Sequence, residues 1–178
     1  MQKKIIKEPH AVLHMPAEKV PIADIPGKKI QRIIQEMKEV LRKTADGIGL
    51  AAPQIGYSLQ MYLASEEALW WKKNHGDEVK KKNTENTWDY YVFINPVLVK
   101  ASRKKVSEAE GCLSVPGTYG AVERSEKVTV EAYDEHGNKF IRGTSSLYAR
   151  VMQHEVDHLN GILFIAKAKN VKHITHKI

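Results

Sequence analysis

Along residues 28–44 the apolar positions Ile30, Ile33, Ile34, Met37, Val40 and Leu41 recur at steps of three and four. That spacing puts them on one face of an amphipathic helix. Pro21, Pro26 and Gly27 punctuate an irregular N-terminal stretch and lead into it. A glycine-punctuated loop follows over 46–56, and 58–64 then reads as a strand. Residues 90–99 are β-rich, and Pro96 within them predicts a strand that lies at an edge or bends there. The β character continues over 106–110, 121–122 and 128–133, and Glu135-His136-Gly137-Asn138 predicts a hairpin turn into 139–143. Ser145 and Ser146 offer caps for a second helix over 147–160, which Gly161 would close. Helix, several strands, then helix is an α+β order, with antiparallel or mixed β-sheets packed around the C-terminal helix.

Composition narrows this picture. The chain has 178 residues, which fits one domain over 1–178 with a core large enough to need no staples. Residues 65–89 break the pattern, because Trp70, Trp71, Trp88 and the runs Lys72-Lys73 and Lys80-Lys81-Lys82 follow no clear period. They read as a surface insertion between two strands. No apolar run approaches the roughly 18 residues that span a membrane, so no membrane partner is expected. The first residues lack the apolar core of a secretory signal. A cytoplasmic location is therefore expected, or an organelle where a transit peptide has been removed. A formal charge of +7, from 28 Lys+Arg against 21 Asp+Glu, suits an acidic partner such as ribosomal RNA. No basic stripe interleaved with aromatics recurs, so DNA is not expected and a solvated basic surface is the simpler reading.

The chemistry concentrates in Gln153-His154-Glu155-Val156-Asp157-His158, an HExxH sequence inside the C-terminal helix. Four residues advance a helix by about one turn, so His154 and His158 can ligate one ion. Glu155 lies about 100° around from His154, where it can reach a water on that ion. The competing reading is a histidine pair beside a salt-bridged glutamate. Downstream, His173 and His176 stand in a Lys-rich tail that makes a poor scaffold for a third ligand. Upstream, Cys112 in Glu110-Gly111-Cys112-Leu113-Ser114 is the sole thiol, and two His plus one Cys leave a tetrahedral position open for water. An unpaired cysteine is otherwise a small buried hydrophobe or a nucleophile paired with histidine. In Gly47-Ile48-Gly49-Leu50-Ala51-Ala52-Pro53-Gln54 the glycines permit close approach of an extended peptide. Gln54 there is either an amide donor for an oxyanion or a turn residue.

Gly47 to Gln54, Glu110 to Ser114 and Gln153 to His158 together resemble the peptide deformylase family, whose motifs GxGxAAxQ, EGCxS and QHExDH appear complete and in order. The likeness extends through Ile94-Asn95-Pro96, Val115-Pro116-Gly117 and Leu159 to Phe164. It implies that Cys112, His154 and His158 hold one divalent ion, ferrous iron in the cell, with zinc, nickel or cobalt accepted. It implies that Glu155 activates the bound water for attack on the formyl carbon of N-formylmethionyl nascent peptides, and that Gln54 and the Leu113 N–H hold the oxyanion. Gly49 and the segment after Ser114 would bind the peptide as an added strand, while Ile48, Leu147, Val151 and His154 would take the methionine side chain. Arg124 is read either as a contact to a peptide carbonyl or as a structural salt bridge. Arg150 stands where some members carry an apolar residue. Two other readings are a metallopeptidase of another HExxH fold, and an inactive homologue that binds nascent chains or the ribosome.

Overall fold

The computed structural model describes residues 3–44, 47–65 and 89–174. The expected insertion at 65–89 lies outside them apart from Ser65 and Asp89. Among the described residues two α-helices, α1 (Lys28–Arg42) and α2 (Ser146–Leu159), pack with eight strands. The strands are β1 (Gly49–Ala51), β2 (Met61–Ser65), β3 (Tyr90–Ala101), β4 (Lys105–Cys112), β5 (Val115–Ser125), β6 (Lys127–Tyr133), β7 (Lys139–Ser145) and β8 (Lys169–His173). They form a five-stranded sheet in the order β1-β2-β3-β6-β7 and a three-stranded sheet in the order β4-β5-β8, with neighbours antiparallel throughout. This is the α+β architecture expected. Among the described residues no helix is long and apolar enough to cross a membrane.

Period-two alternation divides the larger sheet between the two helices. Met61, Leu63, Val92 and Ile94 face α1 and pack with its buried stripe of Ile30, Ile33, Ile34, Met37, Val40 and Leu41. From the opposite face Tyr62, Ala64, Phe93, Val128, Val130 and Ala132 pack with Tyr148, Ala149, Val151 and Met152 of α2. The helix α2 is thus pressed between this sheet and the smaller one. Its C-terminus closes as the spacing predicts. Gly161 has φ +71°, its N–H donates to the His158 carbonyl, and the Ile162 N–H donates to that of Asp157.

Several expectations are corrected. Pro96 does not mark an edge strand, for β3 lies between β2 and β6; a register shift between Ile94 and Val97, with Asn95 at φ +50°, accommodates the missing N–H. The loop over 46–56 contains strand β1 and a 3-10 turn over Ala52–Ile55. The Lys-rich tail forms β8 along β5, and β5 is far longer than the two residues anticipated because glycines and Pro116 mask its pattern. Ser145 occupies the N-cap of α2, yet its side chain makes no capping bond.

Candidate metal centre

Three elements converge at one end of α2. His154 and His158 project from the helix on one face, their ring centroids 4.9 Å apart. Cys112 ends β4 at the tight connection into β5, and its Sγ lies 3.2 Å from His158 Nε2. Ligand atoms of Cys112, His154 and His158 all lie within 4.8 Å of one another. Two donors on one tetrahedral ion stand about 3.5 Å apart, so a sulfur and two imidazole nitrogens at these separations fit a zinc- or iron-sized cation. The sulfur also accepts from Ser114 N at 3.4 Å and from Gln54 Nε2 at 3.6 Å, contacts that suit a thiolate.

Gln54 is buried and held from both ends. Its Oε1 accepts from Ala51 N at 2.8 Å, and Nε2 donates to Ser114 Oγ at 3.2 Å as well as toward the sulfur. The amide therefore presents N–H groups to the centre, the orientation an oxyanion donor needs. Residues 6–8 brace this end: Ile6 N donates to Gln54 O, Glu8 N to Ser114 O, and the Lys7 ammonium to Leu113 O.

Glu155 is buried at the same place. Burial pushes its carboxyl up to about 7, against the lowering influence of His154, and Oε2 has no hydrogen-bond partner among the described residues. Oε1 rests against Gly49: a Cβ at that position would stand 2.3 Å from it and 3.1 Å from Val151 Cγ1. His154 donates through Nδ1 to Glu110 Oε2 at 3.0 Å, which leaves Nε2 to face the centre. Burial disfavours the His154 cation, but bonds to Cys112 and Glu110 outweigh it and raise the ring to about 10. Burial and the positive charges of His154 and Arg124 hold His158 well below the usual histidine range.

A cleft of about 440 Å³ opens onto the centre and is lined by Ile48, Gly49, Gln54, Cys112, Leu113, Leu147, Val151, His154 and Glu155, among others. Of the residues the resemblance assigns to substrate, Arg124 is the exception. Its guanidinium lies behind the cleft, with bonds of 2.9 Å from Nε and Nη2 to Glu110 and 2.5 Å from Nη1 to Asp157. These bonds engage Arg124 inside the protein, so the salt-bridge reading replaces the peptide-contact reading. Burial opposes the charge on Glu110, yet Arg124 and His154 hold it far below the ordinary carboxylate range. Sequence reasoning gave Glu110 and Arg150 no task. Position 150 precedes His154 by one helical turn, a spacing that lets both side chains reach the same carboxylate.

A helix-borne His–Glu–His facing a strand-borne cysteine, in a cleft beside two antiparallel sheets, makes a candidate metal site of the HExxH type. Comparison with known proteins makes this specific. The polypeptide deformylase family model matches residues 2–173, and the chain belongs to that family. Peptide deformylase 1 of Bacillus anthracis is 38% identical over 92% of this chain and 90% of its own length. Peptide deformylase 1A, chloroplastic, of Solanum lycopersicum is 39% identical over 92% of this chain, which spans 58% of that longer protein. The crystal structure of a peptide deformylase from Legionella pneumophila superposes with a TM-score of 0.76 at 35% identity, covering 96% of this chain and 88% of that one. That of the Synechococcus elongatus enzyme in complex with actinonin gives 0.75 at 33% identity, over 94% and 79%.

Proposed function

We propose that this protein is a metal-dependent hydrolase that removes the formyl group from the N-terminal formylmethionine of newly made polypeptides. The single observation that carries the reading is the convergence of Cys112, His154 and His158 within 4.8 Å, with Glu155 and Gln54 at the same centre. Cys112, His154 and His158 would hold one divalent ion, which supplies Lewis acidity and favours ionisation of water near neutral pH. Ferrous iron is the ion we assign in the cell.

The remaining chemistry belongs to this chain. Glu155 takes a proton from the attacking water and returns it to the leaving amine. Its environment suits both roles, since burial brings the carboxyl near the working pH. Gln54 Nε2 and the Leu113 backbone N–H stabilise the negative charge that develops on the formyl oxygen as water attacks the formyl carbon. The apolar wall of Ile48, Leu147 and Val151 takes the methionine side chain, and Gly49 with residues after Ser114 flanks the peptide backbone.

Formate release from a formyl-Met peptide by anaerobically purified, iron- or nickel-loaded protein tests the reading, together with analysis of the native metal. Release that depends on the metal is expected, and Glu155→Gln should keep the metal while losing at least about a hundredfold in rate. No release by loaded protein would overturn the assignment. Cys112→Ala separates it from a metallopeptidase with another third ligand, since full metal content and activity in that variant would favour the latter.

A further inference from the structure

We infer that Arg150 is a positioning residue for the metal centre, acting through Glu110 on His154; the inference rests on the metal site proposed above. Arg150 lies on α2 one turn before His154 and is buried. Its Nη1 donates to Glu110 Oε1 at 2.7 Å and to the Val122 carbonyl at 2.9 Å, and Nη2 donates to the Val106 carbonyl at 2.8 Å. Nε reaches Glu108 at 3.1 Å, whose side chain is largely exposed. Glu110 thus accepts four bonds: Arg124 Nε and Arg150 Nη1 on Oε1, Arg124 Nη2 and His154 Nδ1 on Oε2.

The two arginines are anchored differently. Arg124 ends on Asp157, which is itself held by Lys167, so its far end depends on other side chains. Arg150 ends on two main-chain carbonyls, Val106 on β4 and Val122 on β5. Those strands are paired directly, Val106 opposite Arg124 and Glu108 opposite Val122. Arg150 therefore ties the carboxylate plane to sheet backbone, and through the Nδ1 bond it fixes where the His154 ring points. A planar fork with several fixed donors can do this, whereas a lysine's single ammonium cannot reach all four acceptors.

The test uses the full chain loaded with zinc or cobalt, and the variants Arg150→Met, Arg150→Lys and Glu108→Gln. Metal affinity is read by chelator competition, and the His154 ring by the Nδ1–H proton resonance of the zinc form. Loss of a partner behind a ligating histidine typically weakens metal binding at least about tenfold. Arg150→Met should show that loss and a shifted resonance, Arg150→Lys a smaller change in the same direction, and Glu108→Gln no change. A folded Arg150→Met with parental affinity and resonance would overturn the inference; if that variant does not fold, Arg150→Lys decides by the same readouts. A parent chain that binds neither ion would instead refute the metal site itself.

Discussion

At the scale of single residues, the position with the least freedom at the centre is Gly49. Its Cα is the surface against which Glu155 Oε1 packs, and a methyl group there would come within 2.3 Å of that oxygen and 2.9 Å of its carboxyl carbon. Gly49→Ala should therefore displace the carboxylate without touching a ligand. A displacement on the order of 1 Å at a reacting group costs about a hundredfold in rate. The expected result is near-full metal content with kcat reduced by that order, and a variant within twofold of the parent would show that Glu155 is not held as described. The sequence marks Gly49 only as a place of close approach, because spacing cannot say which side chain fills the space. His154, Glu155 and His158 were legible for the opposite reason: helical periodicity alone sets their relation. Glu110 was not, since its role depends on Arg124 from β5 and Arg150 from α2, two contacts that no local pattern encodes.

At the scale of elements, α2 carries the site and its C-terminal cap lies immediately after the second histidine. The Gly161 N–H caps the His158 carbonyl while the residue holds φ +71°, and a Cβ there would stand 2.6 Å from the carbonyl carbon of His14. Gly161→Ala combines a left-handed non-glycine residue with a backbone clash. The left-handed conformation alone costs about 1–3 kcal/mol. Urea unfolding should show at least that loss, and an unchanged midpoint would mean that the 13–16 segment yields freely. This cap and the buried stripe of α1 were readable because a helix states its faces and ends locally. β1 and β5 were not, since three residues give no alternation and glycines erase it. Pro96 signals an interruption locally, and the pairing register does shift between Ile94 and Val97, but the strand's place in the middle of the sheet follows from pairing with β2 and β6, which is non-local.

At the scale of the molecule, the proposed ion would add a link between the smaller sheet and α2. Cys112 belongs to the smaller sheet, while α2 is packed through Tyr148, Ala149 and Met152 onto the larger one. A ligand that binds only the folded chain stabilises it in proportion to the logarithm of its concentration over Kd, about 4 kcal/mol at a thousandfold excess. For a chain of this size each kcal/mol moves the melting temperature by about 2–4 °C, so chelation should lower it by about 10 °C. Readdition of zinc should restore it, and the recovery should depend on the zinc concentration. Cys112→Ala removes the link from the smaller sheet, so its melting temperature should lie near that of the chelated parent and respond weakly to zinc. A parent whose unfolding is indifferent to chelation would separate the metal from the fold. That outcome would count against one ion held by Cys112 and both histidines, because closing three donors from two elements around one ion cannot leave their mutual restraint unchanged.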